Sequence, residues 1–213
     1  MTYGENIIDS LKLMFVNASE EISEEYLSEY SADENYRSYI LNMRGAINRC
    51  FSVLENKKVL PLRSLSLREA DGVSSGAFIR FDLKSLAEDF FDVERIVYET
   101  QSGEYNAECS YMREGDTLVL PAFKESDGVC YTLIYNPCIK RIAPSAQTSY
   151  QISDVPDRIA AFIPYYIKGD LYRDDEPDEA GEARNWFEQS VAEIQRKTQS
   201  KTNEVKNIYS QTE

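Results

Sequence analysis

The hydrophobic period of this chain changes twice, and this change constrains the fold more than any other feature. An early stripe of apolar residues recurs at steps of three and four: Tyr36, Ile40, Met43, Ile47, Phe51 and Leu54. That spacing predicts a helix of about six turns with one buried face, and Asp33 is its expected N-cap. Between 59 and 152 the period falls to two, and beyond 152 it returns to that of a helix. The sequence therefore predicts an α+β protein.

The middle of the chain is rich in β-branched and aromatic residues separated by turn signals. Six segments are candidate strands: Leu60–Leu62, Ala77–Phe81, Val93–Tyr98, Thr117–Leu120, Val129–Tyr135 and Ser149–Ile152. Hairpin breaks are expected at Asp71-Gly72, Ser102-Gly103, Glu114-Gly115-Asp116 and Asp127-Gly128. Val129–Tyr135 is largely apolar on both faces, which favours a central strand. The stretch 83–91 is alternatively a short helix.

The remaining helices have start signals in the sequence. Asn6 to Phe15 has helical spacing, whereas 17–35 is either a helix or a loop. Asp154-Val155-Pro156-Asp157 combines a capping Asp with a first-turn Pro, and Pro164 is expected to kink the helix that follows. Pro177 is expected near the start of the last helix. In that helix Trp186 and Phe187 are adjacent, so one is a core residue and the other is a candidate intersubunit contact.

Each terminal helical region has an apolar face and needs a partner, because isolated helices are marginally stable. The economical solution is a helical bundle formed by 1–58 and 153–196, with an antiparallel β-rich domain inserted at 59–152. The last part, 197–213, is predicted to be a polar C-terminal arm. The segment 196–213 carries a net charge of +2, opposite in sign to the rest of the chain.

The residue inventory argues against catalysis. The chain has no histidine, which removes the commonest general base and metal ligand, and it has no glycine-rich nucleotide-binding motif. Carboxylate pairs alone can hydrolyse glycosides, so Asp89, Asp92 and Glu94, or the run Asp174–Glu179, are the candidate acids. The run lacks the glycine and the spacing of a calcium-binding EF-hand loop. We therefore expect no catalytic residue, no metal and no cofactor.

Charge and hydropathy limit the partners. The formal net charge of −14 disfavours wrapping of nucleic acid, because phosphate binding requires Lys and Arg. No apolar run is long enough to span a membrane, and the first residues do not resemble a secretory signal. We expect a protein made in the cytoplasm, where its four cysteines stay reduced.

The last third resembles a known family. The relevant segments are Val155–Tyr166, Gly169–Glu176, Ala180, Ala183 and Trp186–Glu188. They show a proline-acid helix start, a small-Leu-Tyr turn, an acidic link and a helix with an aromatic-Phe-Glu sequence. This pattern is similar to the C-terminal helical hairpin of phage head-to-tail adaptors, also called connector, neck or tail tubular A-type proteins. The order of helices, β insertion and helices is similar as well, whereas the long acidic stretch before Tyr36 departs from the family pattern.

The resemblance implies a virion structural protein at the head-tail junction. Its copies would form a ring, commonly a dodecamer, stacked under the portal protein and above a downstream tail or nozzle protein. DNA would pass through the acidic channel without specific binding. In that family the C-terminal segment reaches the portal, so the candidate portal-binding residues in the arm are the following: Lys197, Lys201, Lys206, Ile208 and Tyr209.

Three other functions remain open on the sequence. The first is another virion tail protein, such as a tail terminator or a baseplate protein. The second is a carboxylate-only hydrolase, which would need two facing acids, at least one with a raised pKa. The third is a cytosolic binding module such as an acidic DNA mimic, which would act as a monomer or dimer.

Overall fold

The computed structural model describes residues 1–16, 22, 23, 25, 27–99, 105, 106, 109–124 and 130–209, with the side chains of 99, 105, 106 and 197–209 left out. Two compact units are present. The helical unit comprises Met1–Val59 and Ile139–Glu213, and the sheet unit comprises Leu60–Cys138. The predicted α+β class, with terminal helices on either side of a β region, is confirmed.

The described helices and strands follow the predicted order. The helices are α1 (Tyr3–Met14), α2 (Leu27–Tyr30), α3 (Glu34–Asn56), α4 (Leu83–Leu86), α5 (Asp157–Ala160), α6 (Ile163–Leu171) and α7 (Pro177–Tyr209). The strands are β1 (Arg63–Leu67), β2 (Val73–Ser75), β3 (Phe78–Asp82), β4 (Phe90–Glu99), β5 (Tyr105–Asn106), β6 (Met112–Glu114), β7 (Thr117–Pro121) and β8 (Cys130–Pro137). None of the described helices is long and apolar enough to cross a membrane.

Helix α3 has the predicted stripe and cap. The Asp33 carboxylate accepts a hydrogen bond from the Asn35 N–H at 2.8 Å, which satisfies one free donor of the first turn. The buried stripe runs from Met43 to Leu54, whereas Tyr36 and Ile40 at its N-terminal end are half-buried. Of the region that was open between helix and loop, 27–30 form α2, while residues 17–21, 24 and 26 lie outside the described part.

The boundary of the inserted domain differs from the prediction. Residues 139–152, assigned by the sequence to the β-rich insertion, belong to the helical unit. Polar contacts with α3 explain the difference, because Asn48 bonds both the N–H and the carbonyl of Ile142, at 2.9 and 3.1 Å. The segment predicted as a strand near Ile152 forms only one isolated bridge, between Gln151 and Thr2. Its carbonyls accept hydrogen bonds from the first turn of α1.

Two expectations about proline and caps in the C-terminal helices need correction. Asp154 does not cap α5; its carboxylate accepts a bond from the Lys140 N–H at 3.4 Å, and Pro156 occupies the cap position. Pro164 does not kink a continuous helix either. It is the second residue of α6, where its missing N–H costs nothing because first-turn N–H groups have no helical partner.

Helix α7 begins at Pro177, as predicted, and packs closely on α6. Gly169 allows this approach, because a Cβ at that position would lie 3.1 Å from the Ala180 carbonyl oxygen. Phe187 is buried and meets Tyr166 edge-on, with ring centroids 5.1 Å apart. The backbone of α7 continues as one helix through Tyr209, so 197–209 of the predicted arm extend this helix.

The sheet unit consists of two four-stranded antiparallel sheets. Their strand orders are β1-β8-β4-β5 and β2-β3-β7-β6, and most of their buried side chains belong to one core cluster. Strand β8 is central, as its sequence predicts. The predicted strand Leu60–Leu62 is wrong, since β1 begins at Arg63. The turn at Gly115, with φ of +62°, joins β6 to β7 as expected, whereas the turns at 102–103 and 127–128 lie outside the described residues.

Candidate assembly surfaces

The candidate acids in the sheet unit hold strands in place. Asp89 receives an ion pair from Arg63 at 2.5 Å and a hydrogen bond from the Tyr135 hydroxyl at 3.0 Å. Asp92 forms an ion pair with Arg113. Glu94 accepts a bond from the Asn136 amide at 3.0 Å. Burial, and then the bond to Asp89, raise the pKa of Tyr135 to about 12, so its phenol stays a proton donor at neutral pH. Each acid is thus engaged by a donor from a neighbouring part of the fold.

The acidic run 174–179 lies at the link between α6 and α7. Asp175 accepts a hydrogen bond from the Tyr39 hydroxyl at 2.8 Å, and burial together with this bond raises the pKa of Tyr39 to about 12. Asp178 and Glu179 occupy the first turn of α7, where negative charge is favourable. Within the described residues, no group of three or more Cys, Asp or Glu side chains could hold a metal ion. The run therefore ties the link to α3 and starts the last helix.

Lys168 is a buried cation that the sequence analysis did not identify. Its ammonium donates a hydrogen bond to the Leu13 carbonyl at 3.0 Å, forms an ion pair with Glu179 at 2.6 Å and lies 5.5 Å from the ring centre of Tyr172. The Tyr172 hydroxyl donates to the Met14 carbonyl at 2.7 Å. Both groups satisfy carbonyls at the C-terminal end of α1. This cation therefore joins α1, α6 and α7.

An open groove of about 460 Å³ lies on the sheet unit, lined by Glu94, Arg95, Ile96, Cys109, Ser110 and Tyr111. Its volume is comparable to that of a small-molecule site, but such sites usually enclose their ligand. The one thiol in its wall is not activated, because burial raises the pKa of Cys109. The described lining of the groove offers a mixed polar and apolar surface.

The outer face of the second sheet carries exposed apolar side chains. Strand pairing places Val73, Arg80, Val119 and Met112 in one row across β2, β3, β7 and β6, and Val119 inside this row is buried, at 3% exposure. Val73 is 72% exposed and Met112 is 53% exposed, and Phe78 on the same face is 43% exposed. The opposite face of these strands is buried in the core. The sheet unit thus presents an apolar surface on regular secondary structure.

Among the described side chains of the helical unit, two large apolar ones on its helices are exposed. Leu41 on α3 is 71% exposed, and Trp186 on α7 is 60% exposed. The Trp186 indole stacks on the Tyr165 ring with centroids 5.8 Å apart and planes inclined by 22°. The prediction that one of the adjacent pair is a core residue is confirmed, since Phe187 is buried. The intersubunit contact expected of the other residue, Trp186, stays a prediction.

The predicted portal-binding residues lie on the last turns of α7. Lys197, Lys201, Lys206, Ile208 and Tyr209 all fall within this helix, and their side chains are outside the described part of the chain. The assignment therefore stays a prediction.

Comparisons with known proteins add no family assignment. No family model matches the chain, and no curated protein or solved structure is significantly similar to it. The function must therefore be argued from the residues and surfaces described above.

Proposed function

We propose that this protein is a virion structural protein, a head-to-tail adaptor whose copies form a ring between the portal and the tail. The carrying observation is the placement of Trp186, an indole 60% exposed and stacked on Tyr165 at the surface of a regular helix. Tryptophan is the residue type most enriched at the energetic centres of protein interfaces. An exposed indole that is already stacked on a second ring supports a role in assembly with other chains.

The charge of the chain fits passage of DNA through such a ring. Each copy carries a formal charge of −14. A channel wall with that sign of charge repels phosphate, so DNA moves along it without being held. The proposed localisation is accordingly the head-tail junction of the virion, with DNA as a passing cargo.

The C-terminal arm is the proposed portal contact. Its bases Lys197, Lys201 and Lys206, with Ile208 and Tyr209 as apolar anchors, suit an acidic and partly apolar partner. An extended helix that gains its contacts only on binding covers a large surface without causing free subunits to aggregate. The downstream tail or nozzle protein would contact the sheet unit, as the resemblance to head-to-tail adaptors implies.

The test is attachment to portal rings of the virus that encodes the chain, imaged by electron microscopy. The full chain should add an annular layer to one end of the portal. A chain lacking 198–213 should keep its melting temperature and lose this layer. Equal portal binding by the shortened chain would refute the arm assignment. Binding to tail tubes in place of portal would replace the adaptor proposal with a tail terminator or baseplate protein.

A further inference from the structure

The surface of the helical unit carries an acidic aromatic patch on α7. Trp186, supported by Tyr165, is its apolar centre. Glu182 lies one turn before Trp186 and Glu193 lies two turns after it, so both are on the same side of the helix, and both are exposed. We call these four residues the knob. A rigid aromatic group that is already stacked loses little conformational entropy when another surface covers it.

A second patch, on α3, has the opposite charge. Leu41 is its centre, and the turns on either side place Arg37 and Arg44 next to it at i−4 and i+3. Within the described part of the chain, neither guanidinium forms an ion pair with a carboxylate. We call these three residues the socket. As far as the described residues show, the socket thus sets positive charge beside an exposed leucine, on a chain whose net charge is −14.

The knob and the socket do not meet within one chain. Helices α3 and α7 each pack against α6. No ring contact, hydrogen bond or ion pair among the described residues joins Leu41, Arg37 or Arg44 to the knob. Leu41 also lies on the side of α3 away from its buried stripe. Any contact between the two patches must therefore join different copies.

We infer that the knob of one copy packs against the socket of the next copy. Trp186 would cover Leu41, with an arginine over the indole face as in a cation–π pair, and Glu182 would pair with the other arginine. Charge complementarity favours this occupant, because the socket sets two arginines around an apolar centre and the knob sets two glutamates around another.

Because knob and socket are different surfaces, the contact is head-to-tail, and a head-to-tail contact forms a ring when its rotation closes. This contact deepens the proposed function and rests on it for the closed ring. The pairing of two copies does not depend on the portal.

The first measurement is self-association of the full chain, by sedimentation velocity up to about 1 mM protein. Trp186→Ala and Leu41→Glu should each weaken association by about 30-fold or more, the loss expected at an interface centre. Val73→Ala is the matched control, since Val73 is 72% exposed but belongs to the sheet unit, and it should associate like the original chain. All three positions are exposed, so melting temperatures should stay nearly constant.

The second measurement mixes the two defective chains. Trp186→Ala retains its socket, and Leu41→Glu retains its knob. Equal amounts should therefore form a one-to-one heterodimer that grows no further, although each chain alone stays monomeric. A symmetric contact, such as Trp186 against Trp186, could not produce this complementation.

Three results would overturn the inference. They are a monomeric original chain up to about 1 mM, association of Trp186→Ala as tight as that of the original chain, or absence of the mixed heterodimer. None of them bears on attachment to portal, which is decided separately by electron microscopy. Conversely, a chain that forms the predicted contact but does not bind portal would support the interface inference and refute the adaptor function.

Discussion

The ion pair between Glu55 and Arg141 holds the segment 139–141 against α3. Breaking this pair tests how much a buried charge and its partner contribute to the stability of the helical unit. Glu55 on α3 is 4% exposed and accepts bonds from the Ile139 N–H at 2.7 Å and from the Arg141 guanidinium at 2.8 and 2.5 Å. Arg141 also donates to the Ser52 hydroxyl at 3.0 Å, and its side chain is 41% exposed. One partner is therefore buried, and the other reaches water.

This asymmetry determines the expected energies. Arg141→Ala leaves a buried carboxylate without its cation and should cost about 3–5 kcal/mol at neutral pH. Glu55→Gln keeps an acceptor for the Ile139 N–H, and Arg141 can turn to solvent, so the cost should be about 1 kcal/mol. The double variant contains no buried charge. It should therefore be more stable than Arg141→Ala alone, the reverse of additive behaviour.

Urea unfolding followed by fluorescence measures these differences. Trp186 is the one tryptophan in the sequence, and it lies in the same unit as Glu55 and Arg141, so its emission reports on the relevant unit. If the double variant is as unstable as the sum of the two single variants, the buried-charge reasoning is wrong.

Four further substitutions test the two units. Ile47→Asp buries a charge at a fully buried position of α3 and should lower the free energy of unfolding by about 3 kcal/mol or more, visible as a fall in the circular-dichroism melting temperature. Gly72→Ala should destabilise the sheet unit, because its Cβ would lie 2.3 Å from Ile79, whereas Gly181→Ala meets open space on α7 and should stabilise by about 0.5–1 kcal/mol; urea curves of the pair compare them. Burial and neighbouring acids raise the pKa of Tyr172 from 10.0 to about 12, so its contribution to stability is complete below pH 10.0 and is lost as pH rises through about 12. Tyr172→Phe should flatten that alkaline loss in urea midpoints measured across this range.

The helices and central strands were predictable because burial leaves a periodic trace. The stripe ending at Leu54 and the two apolar faces of Val129–Tyr135 both follow from the positions of their side chains in a core. The boundary at Ile139 was not predictable in this way. It depends on bonds from Asn48 and Glu55 to backbone groups of 139–142, and such bonds leave no period in the sequence. The short edge strands β2 and β6 have three residues each, too few for a pattern to form.

The candidate surfaces were only partly predictable. Because Trp186 and Phe187 are adjacent, only one of them can point into the core. Which one does so depends on the rotation of α7 about its axis relative to α6. Contacts of Gly169 and Tyr166 with α7 determine that rotation. The acid candidates Asp89, Asp92 and Glu94 illustrate the converse. Their closeness along the sequence suggested a pair of catalytic acids. The donors that engage them come instead from distant residues such as Arg63 and Arg113. Ion pairs across a fold cannot be inferred from spacing along one strand.

Two exposed side chains of the helical unit, Leu41 and Trp186, depart from the amphipathic pattern of their helices. Leu41 lies opposite the buried stripe of α3, where folding of the single chain would accept any polar residue at no cost. Trp186 occupies the corresponding side of α7, and its support by Tyr165 does not require that it be tryptophan. A contact with another chain would bury both of these large apolar groups, which the core of the single chain does not need. Arginines surround one group and glutamates the other, so a neighbouring copy is the partner that we propose for both groups.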